Sequence, residues 1–197
     1  NRLVQGLGAF LTEELWDDWT VDQEVPEGAP VCGGVDGSRS GDWTAIRLET
    51  IDGHRFTPSY GPDDRPCYWD PKDWPGGQVP RGEVVAAVDE IFRRYRVGRF
   101  YVDPRHWETQ ADAWAGKHGE DVVVQWPTNQ IQRMFDALVR YREDLESGMT
   151  THAGDEEAKL HALRARKVAK PGDKFILGKP AEHMKIDVAM ADVLAHE

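Results

Sequence analysis

The feature that most limits how this chain can fold is the stretch VCGGVDGSRSGDWTAIRLET, residues 31–50. The apolar run over residues 31–36 predicts a buried strand that ends in one carboxylate, Asp36. A glycine-containing turn follows, and apolar and polar residues then alternate over residues 43–51, which predicts a second strand. An unpaired carboxylate is costly to bury, so Asp36 needs a paired cation, a proton or a metal ion. That partner has to come from elsewhere in the chain.

The order of the predicted elements indicates the class of fold. The pair Asp52-Gly53 is typical of a two-residue hairpin turn, so a third antiparallel strand is predicted over residues 54–60. Helical spacing and short buried strands alternate from Arg81 onwards, ending in a helix over about residues 184–195. Three antiparallel strands followed by βαβ units predict an α/β fold with a mixed five-stranded sheet flanked by helices. This is the element order of the ribonuclease H-like architecture.

Several segments around these elements carry further expectations. Residues 61–80 are rich in Pro, Gly and Asp, which predicts a long loop. Thr12 is predicted to cap a short helix near the start of the chain, and Thr128 to cap the helix that follows it. Residues 156–168 are basic and are predicted to be partly helical.

Length and cysteine content restrict the class of protein. The 197 residues are enough for one domain with a full hydrophobic core. No apolar window of about 18 residues is present, so no membrane-spanning helix is expected. The first residues lack a signal-peptide pattern and an initiator methionine, so we expect a piece of a longer intracellular protein. Cys32 and Cys67 are too few for a disulfide framework and lack metal-site spacing, which predicts reduced thiols.

The charge of the chain is unevenly distributed. The formal net charge of −11 argues against a protein that binds nucleic acid by bulk electrostatics. Between Lys159 and Lys185, however, eight Lys and Arg residues stand against two acids. This segment is either a solvated surface or a local contact for a phosphate backbone.

Two further aspartates are candidates for the partner of Asp36. Asp103 ends the predicted strand RFYVD, directly before a proline. If the two strands are neighbours, both carboxylates emerge at the same edge of the sheet. On the last helix, the spacing of the apolar residues places Asp187 at the border of the buried face and Asp192 toward solvent.

Three converging carboxylates repel one another, and a divalent cation removes this repulsion. Mg²⁺ prefers oxygen ligands, and two such ions can activate a water and stabilise the leaving oxygen of a phosphodiester. Each aspartate also has an ordinary explanation. Asp36 and Asp103 could serve only as turn or cap residues, and Asp187 could be a helix N-terminal acid.

Four stretches resemble, in order, motifs of one family. They are GGVDGSRSGDWTAI, FYVDPRHWETQADAW, MTTHAGDEEAKLHALRA and KIDVAMADVLA. The ordered set resembles the nuclease domain of the large terminase subunit of tailed bacteriophages. The resemblance covers residues 30–197, and the stretch before it is similar to the segment that joins the ATPase and nuclease domains. It therefore implies a linker over residues 1–30 and a ribonuclease H-like nuclease domain over residues 31–197.

The resemblance implies a metal-dependent endonuclease that cuts concatemeric double-stranded viral DNA during packaging, with two Mg²⁺ or Mn²⁺ ions. The catalytic and metal-ligating acids of the family fall on Asp36, Asp103 and Asp187, and a frequent accessory acid falls on Asp42. The implied DNA-contacting residues are His161, Arg164, Lys179 and Lys185.

The resemblance also implies partners and a location. The implied partners are double-stranded DNA, an ATPase domain in the same full-length chain, the portal and the small terminase subunit, in the host cytoplasm and with no membrane. No GxxxxGK[ST] motif is present, so the chain is expected to be the nuclease half or a diverged relative. Two alternatives stay open: a phosphotransferase of the sugar kinase–actin type, and a non-catalytic acidic module that docks on a portal or capsid.

Overall fold

A computed structural model describes residues 6–38 and 40–197 of the chain. Residues 1–5, where the predicted linker begins, and Arg39, in the predicted turn after Asp36, lie outside the described residues. Within the described ranges the strands are β1 Gly6–Ala9, β2 Pro30–Gly37, β3 Thr44–Thr50, β4 His54–Phe56, β5 Ser59–Tyr60, β6 Arg65–Pro66, β7 Tyr68–Trp69, β8 Arg96–Val102, β9 Val123–Gln125, β10 Thr151–His152, β11 Arg166–Lys170 and β12 Lys174–Gly178. The α-helices are α1 Glu13–Asp18, α2 Arg81–Arg94, α3 Glu108–His118, α4 Ile131–Glu146, α5 Glu156–Arg164 and α6 Asp187–His196.

The main sheet has the order β10-β4-β3-β2-β8-β9, with β7 paired to β3. Strands β2, β3 and β4 are antiparallel to their neighbours in the chain, whereas β8 runs parallel to β2 and β9 runs parallel to β8. These five strands are the predicted mixed sheet, and the short strands β10 and β7 extend it. The predicted α/β fold class is therefore confirmed.

Two hydrophobic clusters hold the helices against the sheet. The first contains Val84, Val88 and Ile91 of α2 and Trp114 of α3, packed with sheet residues such as Val35. The second joins α1, α4, α5 and α6, and its sheet contribution includes Ala45. Because neighbouring side chains of a strand point to opposite faces, helices cover the sheet on both sides.

A second, smaller sheet joins the start of the chain to its last third. Strands β11 and β12 form an antiparallel hairpin, and β1 pairs with β11 on its other side. The predicted partly helical segment over residues 156–168 is thus helical only to Arg164, and the chain is extended from Arg166. Strand β12 ends at Gly178, directly before Lys179, so this hairpin leads into the region of the predicted site residues.

Local details separate correct from incorrect expectations. Thr12 caps α1 as predicted, since its side chain accepts a hydrogen bond of 3.2 Å from the N–H of Leu15. The predicted loop over residues 61–80 instead contains strands β6 and β7 and two short 3₁₀ turns. Thr128 does not cap α4: the N-cap residue is Gln130, which makes no side-chain cap bond.

Asp192 is buried, and the prediction that it faces solvent is wrong. Its side chain accepts hydrogen bonds from Arg47 Nε at 2.7 Å, Arg55 Nη1 at 2.8 Å and Tyr141 Oη at 2.7 Å. Almost every residue of α6 is buried, so this helix has no solvent face on which the acid could lie. The two buried arginines supply the countercharge that makes burial of this carboxylate possible.

None of the helices in the described ranges combines the length and the apolar character needed to cross a lipid bilayer.

Candidate active site

Asp36 and Asp103 lie at the same edge of the main sheet. The parallel register pairs Val35 of β2 with Val102 of β8, and the N–H of Asp103 donates to the carbonyl of Val35 at 3.0 Å. Asp36 directly follows Val35, and Asp103 directly follows Val102 at the end of β8. The carboxyl ends of parallel strands meet at one edge of a sheet, which is where ligand sites of such folds are found.

Helix α6 brings a third acid to this edge. Asp187 is the first residue of α6, and its side chain is largely buried. The helix packs directly on β2, because Gly34 has no side chain to hold it away. Asp36, Asp42, Asp103 and Asp187 consequently border one cleft of about 430 Å³. The cleft is also lined by Gly37, Ser38, Ser40, Arg105, His106, Thr128, Leu177, Gly178, Lys179, Ile186 and Met190.

The carboxyl group of Asp36 resists ionisation in this cleft. Burial raises its pKa well above the ordinary value, and the neighbouring charges of Asp187, Asp103 and Asp42 raise it further. Arg105 is the cation that partly offsets this effect. A carboxylate in such surroundings favours either a proton or a bound cation.

The pKa of Asp187 is likewise raised by burial and a neighbouring acid and lowered by nearby donors and a cation. Burial and the charge of Asp42 raise the pKa of Asp187 to about 7, against hydrogen bonds from the backbone N–H groups of Asp187 and Trp43 and the charge of Lys185. Two of the acids in the cleft therefore have raised pKa values. Their ionised forms are unfavourable beside one another, and a bound cation would stabilise them. Perturbed carboxyl groups gathered in a cleft mark a candidate functional site.

Asp42 differs from the other acids because two lysines neutralise it. Its Oδ1 accepts hydrogen bonds from Lys179 Nζ at 2.7 Å and from Lys185 Nζ at 2.6 Å. Although burial raises the pKa of Asp42, these two lysines hold it below its ordinary value. Asp42 is therefore an ionised acid that fixes two cations beside the cleft.

The predicted DNA-contacting residues lie in different surroundings. Lys179 lines the cleft and also pairs with Glu182, whereas Lys185 is almost fully buried against Asp42. Arg164 is the last residue of α5 and is partly exposed, outside the residues that line the cleft. Contact with DNA stays a prediction for these three residues.

His161 does not have the exposure that contact with DNA requires. Its side chain is fully buried, and its Nδ1 accepts a hydrogen bond of 3.0 Å from the N–H of Val188, in the first turn of α6. Burial, followed by the charge of Arg164, lowers the pKa of His161 to about 4, so the ring is neutral and can accept this bond. Contact of His161 with DNA would require this ring to become exposed, and it stays a prediction. His161 holds the start of the helix that carries Asp187.

Three residues of the cleft were not predicted from the sequence. Thr128 Oγ1 donates a hydrogen bond of 2.8 Å to Asp103 Oδ2. The positive charge of Arg105 lowers the pKa of Asp36. His106 lines the cleft with a left-handed backbone, at φ 71°, which is uncommon for a residue with a side chain. The available signal for both was their position two and three residues after the strand-ending Asp103.

The donor chemistry of the cleft fits a hard divalent cation. Its four acidic side chains offer only oxygen ligands, which Mg²⁺ and Mn²⁺ prefer. Among residues 6–38 and 40–197, no three carboxylate, imidazole or thiol side chains are already drawn together as a complete metal-ligand group. The acids therefore line one cleft without closing on a common point.

Comparisons with known proteins agree with this architecture. No protein-family model matches the chain. The chain is 30% identical to the Gene 13 protein of Mycobacterium phage D29 over 87% of its own length, and 29% identical to the Gene 13 protein of Mycobacterium phage L5 over 99%. It spans only 29% and 35% of the length of these two relatives.

Solved structures show the same fold. The large terminase of bacteriophage HK97 matches with a TM-score of 0.72 and 19% identity, over 95% of this chain and 43% of that one. The large terminase nuclease of thermophilic phage G20c with bound magnesium matches with a TM-score of 0.69 and 10% identity, over 96% of this chain and 97% of that one. Structures of the G20c nuclease with bound cobalt and zinc match as well.

The chain therefore has the ribonuclease H-like fold of large terminase nuclease domains. The predicted likeness to that family is confirmed for the fold.

Proposed function

We propose that this chain is a metal-dependent endonuclease that cuts concatemeric double-stranded viral DNA during genome packaging. One observation carries the proposal: Asp36, Asp103 and Asp187 border a single cleft in which burial and mutual repulsion raise the pKa values of Asp36 and Asp187. The likeness of the fold to terminase nuclease domains, including one with bound magnesium, supports it.

Asp36, Asp103 and Asp187 are the residues that would hold two divalent cations. When bound, Mg²⁺ or Mn²⁺ would supply activation of a water molecule and neutralise charge on the phosphodiester. The strands β2 and β8 and the first turn of α6 hold the three carboxylates on rigid elements. Asp42 acts as an accessory acid that keeps Lys179 and Lys185 beside the cleft.

The basic side chains near the cleft are proposed to hold the DNA backbone. Lys179 faces the cleft, and exchange of its Asp42 partner for a phosphate oxygen would keep its charge compensated. Contacts of this kind position a duplex without reading its sequence, so little base preference is expected.

The proposal includes the setting of the enzyme. This chain spans 43% of the HK97 large terminase and 41% of a large terminase from another thermophilic bacteriophage, solved in complex with ADP. Both matches support an ATPase domain in the same full-length protein. The portal, the small terminase subunit and the host cytoplasm complete the proposed setting.

The test is conversion of supercoiled plasmid to open-circular and linear DNA by the purified chain with Mn²⁺ or Mg²⁺. Two variants are compared. D36N removes the charge of one proposed ligand, and D63N removes the charge of an exposed aspartate outside the cleft. We expect cutting by the wild type and by D63N, and none by D36N or by the wild type in EDTA. Thermal unfolding of each variant checks that the fold is retained.

Other outcomes overturn the proposal in distinct ways. If folded D36N still cuts DNA, the cleft is not the site of the reaction. Turnover of ATP without any cutting of DNA would favour the phosphotransferase. If the protein neither cuts DNA nor binds Mn²⁺ at high protein concentration, the non-catalytic docking module is the alternative that remains.

A further inference from the structure

The carboxylate of Asp103 is held at both of its oxygen atoms. Thr128 Oγ1 donates a hydrogen bond of 2.8 Å to Oδ2, and the backbone N–H of Arg105 lies 3.3 Å from Oδ1. The first of these partners comes from another part of the chain, whereas the second belongs to the turn that follows Asp103. The hydroxyl of Thr128 is therefore the side chain that fixes the direction of this carboxylate.

The path of the backbone explains how Thr128 reaches Asp103. Strand β9 runs parallel to β8, and its pairing ends with a hydrogen bond of 2.8 Å from the N–H of Trp126 to the carbonyl of Val102. Strand β9 ends opposite Val102, the last residue of β8, and Pro127, two positions further on, has no N–H with which to continue the pairing. Thr128 then stands at the border of the cleft, beside Asp103.

The hydroxyl of Thr128 has no role in capping the next helix. Helix α4 begins at Ile131, and its N-cap is Gln130, which lies two residues after Thr128 and makes no side-chain cap bond. The hydrogen bond of the Thr128 hydroxyl goes instead to a carboxylate that lines the cleft.

We propose that Thr128 is a positioning residue that orients the carboxylate of Asp103 for a divalent cation; this inference rests on the proposed function. An ionised carboxylate has about four lone-pair sites, so a hydrogen bond at Oδ2 leaves oxygen lone pairs for a metal ion. Partners that orient a ligating carboxylate typically change metal affinity or activity by about 10- to 100-fold when they are removed.

A purely structural role for Thr128 makes a different prediction. Asp103 is 6% exposed, so a hydroxyl that only satisfies this buried acid would affect folding stability and not cation affinity. A variant that lacks the hydroxyl of Thr128 but keeps the shape of its side chain distinguishes the two roles. Thr128→Val does this because valine has the same branched shape without the donor, and Thr128→Ser restores the donor.

The experiment is titration of metal-free protein with Mn²⁺ by isothermal calorimetry, for wild type, T128V, T128S, D103N and T109V. Thr109 is an exposed threonine of α3 and provides the matched control. We expect T128V to bind Mn²⁺ about 10- to 100-fold more weakly, and T128S and T109V to bind it like the wild type. Urea unfolding in EDTA verifies folding, and T128A replaces T128V if the valine variant does not fold.

The outcomes distinguish the two claims. If D103N weakens Mn²⁺ binding but T128V does not, the inference on Thr128 is wrong and the proposed function stands. Equal weakening in T128V and T128S also overturns it, because the hydroxyl would then not be the cause. If D103N binds Mn²⁺ like the wild type, the proposed function itself fails.

Discussion

Asp187 and Asp192 lie on the same helix, and their surroundings shift their pKa values in opposite directions. Burial and the charge of Asp42 raise the pKa of Asp187, whereas Arg47 and Arg55 hold the pKa of the buried Asp192 well below its usual range. Asp192 is thus a permanently ionised structural acid. Asp187 is an acid whose ionisation is unfavourable in these surroundings. A divalent cation bound in the cleft would favour its ionised form.

Removal of the charge of Asp192 is expected to destabilise the fold. The variant D192N leaves Arg47 and Arg55 buried without their shared anion, and breaking a buried ion pair on one side costs about 3–5 kcal/mol. The free energy of unfolding in urea measures this loss. The control D136N changes an exposed aspartate of α4 and should stay within about 0.5 kcal/mol of the wild type. A loss for D192N no larger than that of the control would contradict the assigned role.

The raised pKa of Asp187 predicts how stability depends on pH in the absence of metal. Its folded pKa is about 7, above the unfolded value of about 3.9. Its stabilising contribution is therefore present below the unfolded pKa and is lost as the pH rises through 7. An asparagine side chain cannot ionise, so the D187N variant should gain stability relative to the wild type as the pH rises from about 4 to about 7, the window set by these two values, and keep that advantage at higher pH.

Urea unfolding in EDTA at several pH values tests this prediction. The lowered pKa values of His152 and His161 also make stability depend on pH, but both variants share this effect and it cancels in the difference. The control D63N should run parallel to the wild type. A D187N curve that also ran parallel would show that Asp187 ionises normally.

The approach of α6 to β2 is the contact between elements that places Asp187 beside Asp36. A Cβ at Gly34 would lie 2.5 Å from the N atom of Ala195 and 2.6 Å from Leu194 Cβ, and it would also meet the carbonyl oxygen of Ala191. Real side chains do not tolerate such distances to backbone. Glycine is thus required here for close packing, and not for an unusual backbone conformation.

The variant G34A should therefore destabilise the protein and displace α6. Overpacking of a core costs about 1–3 kcal/mol and sometimes more, and the atoms that would have to move here are backbone atoms. The matched control is G98A on β8, where the nearest atom to an added Cβ is the carbonyl oxygen of Val31 at 3.8 Å. Urea unfolding compares the two. Equal stability of G34A and G98A would show that α6 can shift at little cost.

Most elements were predictable because their signals are local. Alternation over β3, the Asp-Gly turn before β4 and the helical spacing of α2 depend only on nearby residues. The hairpin of β11 and β12 was missed because both strands are short, β11 is basic and directly follows a helix, and pairing with β1 comes from the far end of the chain.

The candidate site divides in the same way. Strand-end positions placed Asp36 and Asp103 at one edge as soon as β2 and β8 were taken as neighbours. Asp192 was misplaced because the helical projection assumed one buried face, whereas α6 is buried almost all round. The partner of Thr128 could not be predicted, because a threonine before a helix indicates a cap and Asp103 is close only in the folded chain.

Over the whole molecule, described residues near the start of the chain pack into the domain. Phe10 stacks on Tyr141 with ring centroids 6.0 Å apart, and Trp16 lies on His152 with centroids 3.8 Å apart. Both side chains are almost completely buried. We infer that the stretch predicted as a linker contributes to the stability of the domain it precedes.

This inference predicts a large effect for W16A. Truncation of a buried tryptophan to alanine costs about 3–5 kcal/mol, provided that the segment stays docked in the folded state. The control V21A changes a side chain that is 39% exposed and should have little effect. Urea unfolding measures both. If W16A were as stable as V21A, residues 10–20 would contribute no more than a loosely attached linker.

The central claim is that three aspartates from two strands and one helix together bind divalent cations in one cleft. Anomalous diffraction from crystals soaked in Mn²⁺ tests it most directly, because the anomalous signal of manganese shows where the metal is bound. The account predicts anomalous density between the carboxylates of Asp36, Asp103 and Asp187, and its loss in D36N. Ordered crystals at saturating Mn²⁺ without density among these three side chains would contradict the account.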